Sequence, residues 1–288
     1  MLRNAQGMVV GHAWSAIGRH QPVTKENHSM SMLKTIQQGR ANKPPRILVY
    51  GTEGIGKTTA ASQAPKPIFI QTEDGLDQIA SDRFPLAKSY DDVYAALKDL
   101  RDEPHDYETV VVDSLDWLER LIFDRLCDQY GVASIEKVDG GYGKGYTHAV
   151  GIWREFISQL DALRADRGMV VILIAHSKIE RFEDPESTPY DRYSPRLHRN
   201  ASALVCEWCD AVLFATRKVR VQSEDAGFNR KRSIAHPIGK AGGDRVLRCV
   251  GGPSCVAKNR YGITEEIPLS WPAFVAALQA CHFSQPQP

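Results

Sequence analysis

The stretch RILVYGTEGIGKTT, residues 46–59, decides the fold. RILVY is typical of a strand buried on both faces of a parallel sheet, because it is short and nearly all apolar. Gly51, Gly56, Lys57 and Thr58 satisfy the spacing G-x-x-x-x-G-K-T, and a predicted helix follows. In such a turn backbone amides point at phosphate oxygens. The predicted nucleotide-binding residues are Gly51, Thr52, Glu53, Gly54, Ile55, Gly56, Lys57, Thr58 and Thr59.

The expected ligands of this loop are ATP and magnesium. Lys57 should act catalytically by reaching the β and γ oxygens, and the Thr58 hydroxyl should bind the metal. Asp113 closes the strand-like run TVVVD and is the second candidate on the metal side. The alternative role for Asp113, capping the next helix, suits Ser114 better.

Hydrolysis also requires a group that orients and deprotonates the attacking water. Ser114 stands where many ATPases carry a glutamate beside the aspartate, so that residue is missing here. Glu73 ends the run PIFIQTE and is the predicted catalytic replacement. Asp74 competes for the role, and a solvated acidic turn is the remaining alternative.

Strand-like runs at residues 46–51, 67–72, 109–114, 169–176 and 211–217 alternate with helical patterns. This alternation predicts an α/β fold with a mainly parallel central sheet flanked by helices. After residue 217 the pattern changes to glycine-separated β segments, which predict an antiparallel extension of the sheet over residues 218–282 with a short terminal helix. Residues 1–40 are expected to be a disordered tail, in which Met30 and Met32 are alternative starts to Met1, and residues 283–288 a second tail.

The 288 residues carry a formal net charge of +1, which excludes a globally basic nucleic-acid-binding protein. The longest apolar run, residues 169–175, is too short to span a membrane, so no membrane partner is expected. Six cysteines in apolar segments suit a reducing compartment, and we expect a cytoplasmic protein. Cys206 and Cys209, followed by Cys249 and Cys255, could belong to a zinc site, but buried free thiols are the default.

Several segments together resemble a family of phage-encoded, AAA-labelled nucleotide-binding proteins with a RecA-like ATPase core. They are GTEGIGKT, FIQTEDGL, VVVDSLDWLE, GGYGKGYTHA, ILIAHSKIERFEDPE, YDRYSPRLH and EWCDAVLFA. Part of that family is regarded as single-strand annealing proteins of phage recombination. The resemblance implies a RecA-like P-loop NTPase core over residues 41–217, in the bacterial host cytoplasm if the chain is phage-derived.

RecA-like proteins bind single-stranded DNA through two loops, which the resemblance places at residues 137–147 and 177–199. The candidate DNA contacts are Tyr142, Lys144, Tyr146, Lys178, Arg181, Arg192 and Arg196. The first segment could instead be a flexible connection with packed tyrosines. In the second, five acidic residues match five cations, so strong constitutive binding is not expected, and a salt-bridged loop without DNA stays open.

The resemblance also places a γ-phosphate sensor at His176, where a satisfied strand-end histidine is the alternative. Lys258 and Arg260 are candidates for cations that reach the ATP of a neighbouring subunit, although solvated strand-end charges are common. Such a role implies a homo-oligomer, as a ring or a filament, and a single-strand-binding protein is a further possible partner.

The sequence therefore predicts a magnesium-dependent ATPase that acts on single-stranded DNA in phage recombination or annealing. A small-molecule or nucleotide kinase shares the phosphate-binding loop and is the alternative from another class. The same loop also suits a helicase or loader-like ATPase, or a nucleotide-dependent regulator that acts through protein contacts, and both of these functions stay open.

Overall fold

The central sheet follows the predicted strands closely. In the computed structural model, which describes residues 33, 36, 43–186, 188–225, 231–239 and 242–283, ten strands form one mixed sheet. Its parallel strands are β1 (Arg46–Gly51), β2 (Pro67–Gln71), β3 (Asp82–Arg83), β4 (Thr109–Asp113), β5 (Val170–Phe182) and β7 (Ala211–Arg217). Its antiparallel strands are β6 (Tyr190–Pro195), β10 (Arg245–Arg248), β11 (Lys258–Asn259) and β12 (Ile267–Pro268).

The strand order is β12-β10-β7-β1-β5-β4-β2-β3, with β11 paired to β7 and β6 paired to β5. The strands β8 (Val219–Asp225) and β9 (Lys231–Pro237) pair separately as an antiparallel ribbon. Gly51 at the end of β1 lies opposite His176, and Asp113 at the end of β4 lies opposite Ile174. The ends of β1 and β4 therefore meet at one edge of the sheet, on either side of the middle of β5.

Helices cover both faces of the sheet. They are α1 (Lys57–Ala61), α2 (Tyr90–Asp102), α3 (Leu115–Tyr130), α4 (Lys144–Asp166), α5 (Arg199–Trp208) and α6 (Trp271–Phe283). Leu48 and Tyr50 of β1 pack in the core with α2 to α5, whereas Ile47 and Val49 pack with α6 on the other face. This period of two places apolar side chains on both faces, as expected for a strand in the middle of a covered sheet.

The predicted α/β class, with a mainly parallel sheet, flanking helices and antiparallel strands in the C-terminal part, is confirmed. The terminal helix α6 begins directly after Ser270, whose hydroxyl accepts a hydrogen bond from the Ala273 N–H at 3.3 Å. No helix in the described part of the chain is long and apolar enough to cross a bilayer. The predicted tails at residues 1–40 and 283–288 lie outside the described residues, except at residues 33, 36 and 283.

Candidate nucleotide site

The glycine-rich turn between β1 and α1 packs tightly on the sheet. A Cβ atom at Gly51 would lie 2.3 Å from the Ala215 carbonyl oxygen of β7, so only glycine fits there without a shift. Gly56 has a φ of 106° directly before α1, a conformation that side chains with a Cβ rarely adopt. Two of the motif glycines are therefore required by the backbone itself.

Lys57 is buried inside this turn. Its Nζ donates hydrogen bonds to the carbonyl oxygens of Gly51 at 3.0 Å and Thr52 at 2.9 Å. Burial lowers the pKa of Lys57, and the nearby carboxylate of Asp113 opposes that effect. The ammonium group is thus held at the centre of the turn, as its predicted contact with phosphate oxygens requires.

Thr58 and Asp113 meet at the edge of the sheet. The Thr58 hydroxyl donates to Asp113 Oδ2 at 2.7 Å, across 55 residues of sequence. Burial raises the pKa of Asp113, while the bond from Thr58 lowers it. Two oxygen donors of the kind that magnesium prefers therefore lie side by side beside the phosphate-binding turn.

Glu73 follows β2 and reaches the same pocket, which also includes Gly54, Gly56, Thr59 and His176 among its lining residues. Its Oε2 accepts a hydrogen bond from the Ser114 hydroxyl at 3.0 Å and lies 3.8 Å from His176 Nδ1. Asp74, the competing residue, is exposed and does not line the pocket. Of these two adjacent carboxylates, Glu73 therefore lies in the pocket and Asp74 lies outside it.

Ile55 and Thr52 contribute to the turn through their main chains. The Ile55 side chain is buried among Ile47 and Val49, on the face of the sheet that α6 covers. Thr52 is exposed, and its carbonyl oxygen holds Lys57. Neither side chain lines the pocket.

His176 lies in a hydrogen-bonded network that the sequence alone did not reveal. Asp116, in the first turn of α3 and buried, accepts hydrogen bonds from the His176 backbone N–H at 3.0 Å and from Arg196 Nη2 at 2.7 Å. His176 Nδ1 lies 3.0 Å from Asp116 Oδ2. Arg196 Nη1 also donates to Glu53 Oε1 at 3.1 Å. A continuous chain of contacts therefore joins His176 to the phosphate-binding turn.

Asp116 keeps its charge in this setting. Burial acts to raise the pKa of Asp116, but hydrogen bonds from His176 and Arg196 together hold it well below its usual range. One sequence signal could have identified the residue: Asp116 and Glu119 are polar positions three residues apart, and each lies next to a leucine that is fully buried. Polar residues at such spacing share a helix face, and here that face is buried.

Glu119 fixes the start of α5. Both carboxylate oxygens accept from the His198 backbone N–H, at 3.0 and 2.9 Å. The side chain is buried, and burial raises the pKa of Glu119 to about 7, against the lowering effect of the His198 bond. Glu119 therefore changes charge near neutral pH.

We expect Glu119 to make the protein less stable as the pH rises from about 4.5 through about 7. Its pKa is raised from 4.5 on folding, so the stability it contributes is full below that pH and is lost through the folded pKa. Glu119→Gln keeps an acceptor for the His198 N–H but does not ionise. The free energy of unfolding of this variant, relative to wild type, should therefore rise by up to about 3 kcal/mol between about pH 4.5 and about pH 8.

Urea denaturation of both proteins across this pH range measures the difference. Glu103→Gln is the matched control, because Glu103 is exposed and should give a profile parallel to wild type. A Glu119→Gln profile that is also parallel to wild type would show that Glu119 does not titrate in this range.

The first predicted DNA-binding segment, residues 137–147, is only partly helical. The 3-10 helix at Ile135–Gly140 is kinked at Val138 and Asp139, and α4 begins at Lys144, whose Nζ donates to the Asp139 carbonyl oxygen at 3.1 Å. The Tyr146 ring is half-buried and stacks on His198 with centroids 4.1 Å apart. Tyr142 is fully exposed and has a φ of 55°. Of the two predicted stacking residues, Tyr142 alone presents its ring to solvent.

The second predicted DNA-binding segment is a β-hairpin, so the prediction of a loop over residues 177–199 is wrong. β5 continues six residues past His176 and pairs with β6 from Ser177 opposite Pro195 to Phe182 opposite Tyr190. The prolines at 185 and 189 fall in the turn between the two strands. The hairpin is therefore an ordered extension of the central strand β5.

Several cations of this hairpin have partners within the chain. Lys178 Nζ donates to the Leu197 carbonyl oxygen at 2.8 Å, and the Arg192 guanidinium lies 3.8 Å from the Phe182 ring centroid. Arg181 lies opposite Asp191 in the strand register. Arg196 holds Asp116 and Glu53, as described above. Lys178, Arg192 and Arg196 are thus held by groups other than the five acidic residues counted in the sequence.

Lys258 and Arg260 lie at the opposite edge of the sheet from the phosphate-binding turn. Arg260 Nη1 donates to Asp210 Oδ1 at 3.1 Å, and the same carboxylate pairs with Arg46 at the start of β1. Lys258 Nζ donates to the Glu207 carbonyl oxygen at 3.0 Å. Both cations therefore have partners in their own chain, and their role at a neighbouring subunit stays a prediction.

The pocket contains one cation that the sequence did not indicate, Arg245 of β10. The cysteines, by contrast, form no site: within the described ranges no group of three or more His, Cys, Asp or Glu is arranged to hold a metal ion. Cys209 is buried in the main core and Cys206 packs against it. Burial raises the pKa of both thiols.

Comparison with known proteins agrees with this geometry. The chain is 28% identical over 172 residues to the SPbeta prophage-derived uncharacterized protein YorG of Bacillus subtilis (strain 168). The match covers 58% of this chain and 49% of that protein, so the chain spans about half the length of the relative. Residues 43–261 match the family described as AAA domain, a range that contains every lining residue of the pocket. An AAA domain implies nucleotide binding, and the chain belongs to the AAA domain family.

Proposed function

We propose that this protein is a magnesium-dependent ATPase that acts on single-stranded DNA in phage recombination or annealing. The observation that carries the proposal is the 2.7 Å contact between Thr58 and Asp113, beside the buried Lys57 and with Glu73 on the same pocket. These four side chains come from three separate segments of the chain. Their convergence supports phosphoryl chemistry at this edge of the sheet.

Magnesium suits the residues present. Thr58 Oγ1 and Asp113 Oδ2 are oxygen donors, and Asp113 is a buried carboxylate for which a cation would offset the cost of burial. When bound, magnesium supplies positive charge to the β- and γ-phosphate oxygens. Thr58 would hold it directly and Asp113 through a water molecule, as in other P-loop proteins.

Side chains and backbone amides of the protein perform the other steps of hydrolysis. Lys57 and the backbone amides of the turn bind and orient the phosphates. Glu73 accepts a proton from the attacking water as the new oxygen–phosphorus bond forms. The bond between the γ-phosphorus and the β–γ bridging oxygen breaks, and ADP and phosphate are the products. The Ser114 hydroxyl, which donates to Glu73 at 3.0 Å, positions the carboxylate for this step.

Two features support action on single-stranded DNA. Tyr142 offers an exposed aromatic ring within a glycine-rich turn, and aromatic rings stack on bases without regard to sequence. Arg196, at the base of the β5–β6 hairpin, is tied to Glu53 of the phosphate-binding turn. A nucleotide that displaces Glu53 would remove one of the two carboxylate contacts of Arg196 and leave the contact with Asp116, and this change would couple the hairpin to nucleotide binding. The prophage origin of the relative YorG is compatible with a phage role.

Assembly on DNA is the form in which we propose that the protein acts. A ring or filament of copies would bring the Tyr142 side chains of successive subunits onto one strand. A single-strand-binding protein is a compatible partner, because both would engage the same DNA.

The test is magnesium-dependent ATP hydrolysis with and without a single-stranded oligonucleotide. We expect the oligonucleotide to stimulate hydrolysis, and Tyr142→Ala to reduce the stimulation about tenfold while leaving the basal rate unchanged. Tyr130→Ala is the control, because Tyr130 is also partly exposed but packs near His148.

Hydrolysis that does not respond to the oligonucleotide would contradict DNA-coupled ATPase activity. Phosphate transfer from ATP to a small molecule, with little release of free phosphate, would favour a kinase. Equal losses of stimulation in Tyr142→Ala and Tyr130→Ala would remove Tyr142 from the DNA interface.

A further inference from the structure

Arg245 reaches the phosphate-binding turn from the antiparallel part of the sheet. It is the first residue of β10, which pairs with β7, and its carbonyl oxygen accepts a hydrogen bond from the Leu269 N–H at 3.0 Å. A Cβ atom on Gly56 would lie 2.9 Å from Arg245 Nη1. The guanidinium group is therefore in contact with the turn, although 189 residues separate Arg245 from Gly56 in sequence.

The guanidinium group has no hydrogen-bond or ion-pair partner among the residues that the structure describes. Its neighbours on the same sheet behave differently. Arg248 Nε donates to Glu266 Oε1 at 2.9 Å, and Arg217 Nη1 donates to the Gly242 carbonyl oxygen at 2.8 Å. Arg217 and Arg248 are thus paired within the chain. Arg245 instead presents its donors to the nucleotide pocket, which it lines.

Carboxylates outnumber cations in the pocket, so an anion there depends on a cation that is not already bound. Glu53, Glu73 and Asp113 are the carboxylates among the described lining residues, and Lys57 and Arg245 are the permanent cations. Lys57 is bound to carbonyl oxygens within the turn. Arg245 is therefore the cation that is free to bind phosphate with its planar fork of donors.

The strand order indicates which part of the nucleotide Arg245 meets. β10 and β7 lie on one side of β1, whereas β5, β4 and β2 lie on the other. His176, Asp113 and Glu73 all belong to that second side, where the γ-phosphate must lie if Glu73 activates the attacking water. Arg245 approaches the turn from the opposite side, so it faces the phosphates nearer the nucleoside.

We propose that Arg245 is a nucleotide-binding residue supplied by the same chain, which contacts the α- and β-phosphate part that ATP and ADP share. This assignment rests on the proposed binding of ATP at residues 51–59. It predicts that Arg245 sets the affinity for both nucleotides, and that it does not distinguish ATP from ADP.

The experiment is isothermal titration calorimetry of the full chain with magnesium-ADP and with a non-hydrolysable magnesium-ATP analogue. Arg245→Ala should weaken binding of both by about tenfold and by similar factors, since one charge-assisted hydrogen bond is worth about that much. Arg245→Lys should lose less, because it keeps the charge but not the fork. Arg248→Ala, from the same strand, is the matched control and should bind within about twofold of wild type.

Three results would contradict the assignment, and they can be told apart. ADP affinity unchanged in Arg245→Ala, with wild type binding normally, would overturn the role of Arg245 and leave the proposed function intact. A loss confined to the ATP analogue would place the guanidinium at the γ-phosphate and overturn the position argued above. No binding of either nucleotide by wild type would overturn the proposed function together with this inference. Thermal melting without nucleotide verifies that the variants fold.

Discussion

Replacing Lys57 with alanine should lower the rate of ATP hydrolysis by about two orders of magnitude or more. The Lys57 ammonium is buried at the centre of the phosphate-binding turn, where the surroundings strengthen its attraction for developing negative charge on the phosphates. Water that entered the space left by alanine could not supply a fixed positive charge. Release of inorganic phosphate at saturating magnesium-ATP measures the effect.

Lys66→Ala is the matched control for this prediction. Lys66 is exposed, pairs with Glu108 at 3.2 Å and lies outside the pocket, so its replacement should change the rate by less than about twofold. Lys57→Ala also removes the donor that the Gly51 and Thr52 carbonyl oxygens share, so thermal melting must show that the variant is folded. A folded Lys57→Ala protein with wild-type hydrolysis would remove the turn from the chemistry.

The features that depend on local sequence were predicted well. The strand before the turn, the turn itself and the aspartate at the end of β4 follow from short patterns whose physical causes act within a few residues. The shared edge of the sheet then follows from parallel pairing, since the ends of β1, β4 and β2 are brought into register. The convergence of Thr58 and Asp113 needed no further information.

The features that depend on contacts across the fold could not be predicted in the same way. The extension of β5 lacks a period-two pattern, because the charged residues Glu180 and Arg181 separate Ile179 from Phe182, so its sequence resembles a loop. Asp116 is a charged residue near the start of a helix, a position that is usually solvated, and only its pairing with His176 and Arg196 allows it to be buried. Arg245 approaches the turn only because β10 pairs with β7, a register that no local pattern indicates.

Glu73→Gln should reduce ATP hydrolysis by about two to four orders of magnitude while leaving the affinity for a non-hydrolysable ATP analogue within about twofold of wild type. Glutamine has nearly the same shape and can still accept the hydrogen bond from the Ser114 hydroxyl, which is 3.0 Å long in the wild-type protein. It cannot take a proton from the attacking water. Loss of turnover with retained binding is therefore the expected signature of a base that acts in the transition state.

Asp74→Asn is the control that makes this prediction specific. Asp74 adjoins Glu73 in sequence and carries the same charge, but it is exposed and lies outside the pocket. Its replacement should leave both hydrolysis and binding within about twofold of wild type. If Asp74→Asn lost turnover and Glu73→Gln kept it, the turn after β2 would have to rearrange when nucleotide binds, and the base would be Asp74. If neither variant lost turnover, the water would be activated elsewhere, and the Asp116–His176 pair beside the pocket would be the next group to replace.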